Sequence, residues 1–142
     1  MKKTLKKLMI GTLLVAFAAA GYGFYLFNKK PADVRVMSAS YTLSADSLVN
    51  VYNQDEKAAD KKFLNQVIEI KGTVSKVVLD SATKQATVML STNDPLSGVT
   101  CSFYDNEASQ LKNIKSGAEI SVKGVCTGKL MDVVLNKCSI QH

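Results

Sequence analysis

The chain reads as a mostly β domain with helices: a five-stranded Greek-key barrel behind an apolar N-terminal helix. Three observations predict it. Residues 8–27 form an uncharged apolar run. Apolar residues then alternate with period two through five segments between residues 67 and 140, and helical spacing appears before the first segment and between the third and fourth.

The N-terminal element comes first. Lys2, Lys3, Lys6 and Lys7 precede an apolar run from Leu8 to Phe27, and Lys29 and Lys30 follow it. Its 20 residues make a helix of about 30 Å, the thickness of a bilayer's hydrocarbon core. Tyr22 and Tyr25 fall near its outer end, and the leading lysines favour export of the domain beyond the run. The sequence therefore predicts an uncleaved signal anchor over residues 1–30. Ala16-Phe17-Ala18 and Ala18-Ala19-Ala20 offer the rival, a cleaved signal peptide. No cysteine follows the run to carry a lipid.

Removing this segment changes the electrostatics. All of the +6 net charge comes from the six lysines of residues 1–30, and residues 31–142 carry twelve basic and twelve acidic side chains. A basic excess would have argued for nucleic acid, but here it belongs to membrane topology. The remaining length suits one small domain with one core.

Residues 31–43 read as a polar tether. Ser44 reads as the cap of a leading helix over residues 44–63, with Leu48, Val51, Tyr52, Ala58, Ala59 and Phe63 on one face. Strands follow at 67–79, with a bend at Gly72, at 85–91 and at 99–104. A helix over 105–114 then precedes strands at 118–126 and 131–140. Three strands, a helix and two more strands is the order of the OB-fold, so residues 44–142 are predicted to be an OB-fold domain with its leading helix.

Catalytic and metal-binding patterns are sparse. His142, the last residue, is the only histidine, which leaves no internal partner for a serine or cysteine nucleophile. Cys101, Cys126, Cys138 and His142 lack a close Cys-x2-Cys knuckle, so neither a metal nor a cofactor is expected. In an exported domain two of the three cysteines are expected to pair. A final hairpin centred on Asp132 would set Cys126 opposite Cys138 and leave Cys101 a free buried thiol. A turn at Gly128 would favour a pairing of Cys101 instead.

For nucleic acid, an OB-fold needs aromatic platforms on its second and third strands. Phe103 shares parity with Val99 and Cys101 and points inward, which leaves Tyr104 as the single candidate ring. Candidate ligand-face residues are Lys84, Asp94, Tyr104 and Lys129, from the loops and strand end that border such a face.

These residues also carry a likeness. Asp55, Glu56, Ala58, Ala59, Asp60 and Phe63 are followed by Val67-Ile68-Glu69-Ile70-x-Gly72 and Val99-x-Cys101-x-Phe103. Leu111-x5-Gly117, Gly124-Val125-Cys126-x-Gly128 and Asp132-Val133-Val134-Leu135-x2-Cys138 complete the series. In this the chain resembles the tRNA anticodon-binding-like (tRNA_anti-like) OB-fold family of bacterial exported and membrane-anchored proteins. The resemblance implies the fold. With the anchor, it makes the expected function a noncatalytic, membrane-tethered binding module outside the cytoplasm, on the periplasmic face of the inner membrane. Its expected partner is an envelope protein, peptide or glycan. The alternative is a single-stranded nucleic-acid-binding OB-fold.

Overall fold

The computed structural model describes residues 2–27 and 33–142, with side chains for 10–26 and 33–142. The anchor limits Leu8 and Phe27 therefore have side chains outside the described residues, as do Lys29, Lys30 and Pro31 entirely. The chain divides into two compact units, Met1–Ala32 and Asp33–His142. In the first, α1 runs from Lys2 to Phe27. Among the described residues, no helix is long and apolar enough to cross a membrane.

The second unit is an OB-type barrel. Its strands are β2 (Val67–Leu79), β3 (Ala86–Ser91), β4 (Val99–Phe103), β5 (Glu119–Lys129) and β6 (Val133–Gln141). They pair in the order β2-β3-β4-β6-β5, and β5 returns to β2 to close the barrel. All pairings are antiparallel except β4–β6, the parallel seam of the Greek key. β2 is long because it serves two partners: its first half pairs with β5 and its second half with β3. A one-residue bulge between Val74 and Lys76 separates the halves. The bend thus falls just beyond Gly72. That glycine instead permits close approach, since a Cβ there would lie 3.0 Å from Ala45 Cβ and 3.2 Å from Leu90 Cδ1.

Alternate residues of every strand meet inside, where Ile68, Ile70, Val88, Val99, Cys101, Val122, Cys126, Leu135 and Cys138 are fully buried. Helices complete this core. The leading segment is two helices, α2 (Ala45–Gln54) and α3 (Glu56–Phe63), rather than one over 44–63. Ser44 caps α2 by accepting from Ser47 N–H, at 3.1 Å. Asp55 breaks the run in extended backbone (φ −156°) and caps α3 through Ala58 N–H, at 3.0 Å. The break lets two short faces reach the core separately: Leu48, Val49 and Tyr52 from one, Ala59 and Phe63 from the other. The expected helix over 105–114 is a 3₁₀ turn, Asp105–Glu107, followed by the single turn α4, Ala108–Leu111, which buries Leu111.

The stretch read as a tether is largely folded. β1 (Tyr41–Ser44) adds in parallel to β2, pairing Tyr41 with Ile68 through Ser44 with Lys71. Before it, the 3₁₀ turn Val34–Val36 buries Val34 completely. A sequence search for period two over at least four residues misses both, because one is a single turn and the other has one half-buried side chain.

Candidate ligand face

The outer face of β3 and β4 is built by strand register. Lys76 of β2 lies beside Met89 of β3, then Thr100 of β4 and Val134 of β6. One row along, Val78, Thr87 and Ser102 align. Hydroxyls and aliphatic groups dominate these rows, and no aromatic ring stands in them. Phe103 is buried, as its parity required.

The predicted ligand-face residues fall at the two ends of β3. At the end where β3 stops, the loop 92–98 is tied to α2 and to the β5–β6 turn. Asn53 of α2 donates through Nδ2 to Asp94 Oδ2 at 2.7 Å, while its Oδ1 accepts from Lys129 Nζ. The structure thus brings Asp94 and Lys129 together through a residue that sequence reading passed over. Asp94 Oδ1 also accepts from Leu96 N–H at 2.9 Å. That backbone bond first, and the Asn53 amide second, hold the Asp94 carboxyl below the usual carboxylate range. Asp46 accepts from Asn93 N–H at 2.6 Å.

Asp132 was also missed as a positioning group. Its carboxylate accepts from Gly98 N–H at 2.9 Å and from Thr100 Oγ1 at 2.8 Å, fastening the hairpin turn to the start of β4. A cavity of about 320 Å³ lies between these loops, with Met89, Asp94, Leu96 and Asp132 in its wall. Around this end Leu96, Leu130 and Met131 are 82%, 90% and 78% exposed. An aspartate at the foot of an apolar turn was the sequence signal, and nothing local announced its reach to Thr100.

At the other end stand Lys84 and Tyr104. Lys84 takes a left-handed backbone (φ 56°) in the turn that Asp80 organises by accepting from Ala82 and Thr83 N–H. Thr83 and these amides hold the Asp80 carboxyl low. Grooves beside Lys84 and beside Tyr104 share Gln85 and Asp105, so the two residues border one continuous surface.

Tyr104 is not a free stacking ring. Arg35 places its guanidinium 4.9 Å from the ring centroid, and the Tyr104 hydroxyl accepts from Val34 N–H at 3.3 Å. Arg35 is itself held by Asp33 at 2.6 Å, and this contact keeps the Asp33 carboxyl low. Lys123, buried on β5, donates to the carbonyls of Arg35 at 3.1 Å and Met37 at 2.9 Å. The segment before β1 is therefore a strap across β5 and β6, and it covers the ring that sequence reading offered to a base.

The cysteines are placed by the same register. All three are free and buried. Cys126 lies opposite Leu135, not Cys138, because the β5–β6 hairpin is centred nearer Met131 than Asp132. Its thiol is 3.4 Å from the Tyr52 hydroxyl. Burial, with this contact second, drives the Tyr52 pKa far up. Cys138 lies opposite Phe103 across the β4–β6 seam, and burial first, then the neighbouring Cys101, raises its thiol pKa. Among the described residues, no three histidine, cysteine or acidic side chains are grouped to hold a metal ion.

The model of the tRNA_anti-like family matches residues 1–140. No curated protein matches the chain. Among solved structures, it is similar to a "putative nucleic acid-binding lipoprotein" from Klebsiella pneumoniae subsp. pneumoniae MGH 78578. That likeness has 14% identity and a TM-score of 0.62, and covers 80% of this chain and 100% of the other. It is a likeness of fold. A "putative aspartyl-tRNA synthetase" from Leishmania major Friedlin aligns at 13% identity with a TM-score of 0.49, over 78% of this chain and 22% of that one.

Proposed function

The chain belongs to the tRNA_anti-like family, and from that premise we propose that it is a noncatalytic OB-fold binding module, tethered to the membrane and facing the cell envelope. Its ligand is a protein, peptide or glycan rather than single-stranded nucleic acid. The observation that carries this reading is the pairing of a ring-free β3–β4 face with three exposed apolar side chains, Leu96, Leu130 and Met131, at one end of it. Base stacking requires aromatic platforms, whereas exposed apolar loop tips suit a desolvated contact. The one ring near the face, Tyr104, is occupied by Arg35.

The tether rests on α1. Leu13, Leu14, Val15, Phe17, Phe24 and Leu26 each expose more than half their surface, and in water that many apolar groups on one helix are unfavourable. The sequence extends the run to Leu8 and Phe27, long enough for a bilayer core. Residues 1–30 are the anchor of this scheme, and the OB unit with its β1 strand and strap is the exported part.

Alkaline phosphatase fused after His142 tests the placement: activity in cells and retention of the fusion in carbonate-washed membranes are expected. An inactive fusion contradicts export, and a soluble product beginning near Ala19 contradicts the anchor alone.

A further inference from the structure

We propose that the strap is the in-chain occupant of a peptide groove on the outer face of β5 and β6. The groove also receives a partner's peptide in which a branched apolar residue is followed by arginine. This rests on the peptide class of ligand proposed above and adds a site for it, at the opposite end of β4 from loop 92–98.

Buried polarity marks the groove. Among the described residues, the buried polar or charged side chains are Glu107, Lys123 and Ser139, and they form one group. Lys123 of β5 lies opposite Ser139 of β6, and Ser139 Oγ donates to Glu107 Oε1 at 3.3 Å. Lys123 follows the buried Val122, and Ser139 the buried Cys138, so alternation turns both to the outer face of the barrel. They are buried there because the strap lies over β5 and β6. A cover serving stability alone would rest on apolar side chains, since burying an ammonium or a carboxyl is unfavourable unless each finds partners. This cover rests on groups that read main chain.

The strap shows how they read it. Lys123 Nζ donates to the carbonyl oxygens of Arg35 at 3.1 Å and Met37 at 2.9 Å. The Tyr104 hydroxyl accepts from Val34 N–H at 3.3 Å. Two side chains of the barrel thus hold three main-chain groups of the strap. Two positions supply selectivity: Val34 is buried completely, and the Arg35 guanidinium stands 4.9 Å from the Tyr104 ring centroid. The strap joins no ladder of the sheet, and Val34 is the single buried side chain of residues 33–40. An attachment of this kind accepts any peptide of the same local shape with the same two residues. The strap therefore competes with such a peptide, and the apparent affinity falls with the fraction of molecules whose groove is closed.

A fluorescent peptide copying Asp33–Ser38 is titrated, by anisotropy, against the purified full chain in detergent micelles. Val34→Asp in the chain sets a carboxylate in the apolar pocket and lifts the strap, so it should bind the peptide about tenfold or more tighter than the unaltered chain. Lys123→Met added to Val34→Asp should weaken that binding about tenfold or more. A peptide itself carrying Val34→Asp should not bind. If Val34→Asp loses the circular dichroism of its sheet, Val34→Ala, which trims the anchor without adding charge, carries the same comparisons. Equal affinity of the opened and unaltered chains, no binding by the opened chain, or binding indifferent to Lys123→Met overturns the groove. The measurement uses purified chain, so its failure removes the groove and leaves the envelope placement, which the phosphatase fusion tests, as it stands.

Discussion

At the scale of single residues, two contacts carry the sharpest consequences. Gly124 is held by sulfur and backbone, with 2.6 Å between its would-be Cβ and Cys138 Sγ. Gly124→Ala therefore overpacks the core and should cost about 1–3 kcal/mol in urea unfolding. Adding Cys138→Ala should return part of that loss, which a merely conformational effect at Gly124 would not. Asp94 gives a pH prediction. Its folded pKa is depressed by Leu96 N–H and Asn53, so its contribution is present above the unfolded value of about 3.9. It is lost as pH falls through the lower folded value. Hydrogen exchange of the amides in loop 92–98 should rise in that acid window, and in Asp94→Ala it should be raised already at neutral pH.

At the scale of elements, the strap is the feature with most bearing on function. Lys123 satisfies two carbonyls of residues 35 and 37 from inside the fold. Lys123→Met leaves those carbonyls unpaired, at about 1–3 kcal/mol, and should speed tryptic cleavage after Arg35. Unchanged cleavage would mean that Val34 alone holds the strap. The five barrel strands were legible in the sequence because alternation such as Val67–Leu79 and Val99–Phe103 survives wherever one face is buried. The strap, β1 and the break at Asp55 were not legible. Val34 and Leu43 are held by long-range partners, and Asp55 fits a solvated helix face as readily as a cap. The face residues were legible individually, yet their grouping was not. Lys129 and Asp94 meet only through Asn53, and Tyr104 is covered by a segment that reads as a linker. The disulfide register turned on a hairpin centre misplaced by about one and a half residues, enough to exchange Cys138 for Leu135 opposite Cys126.

At the scale of the whole molecule, charge and surface chemistry point the same way. The +6 of the chain lies in the N-terminal segment, which leaves the barrel with balanced charge and a ring-free β3–β4 face. A nucleic-acid-binding barrel would instead gather cations along a groove and release counterions on binding. The most direct measurement is the affinity of the full chain in detergent micelles for single-stranded DNA and RNA oligonucleotides across a range of salt. Weak binding is predicted, unaltered by Tyr104→Ala. Tight binding that falls about 10³-fold or more from low to moderate salt, and that is lost in Lys76→Ala or Tyr104→Ala, would contradict the account.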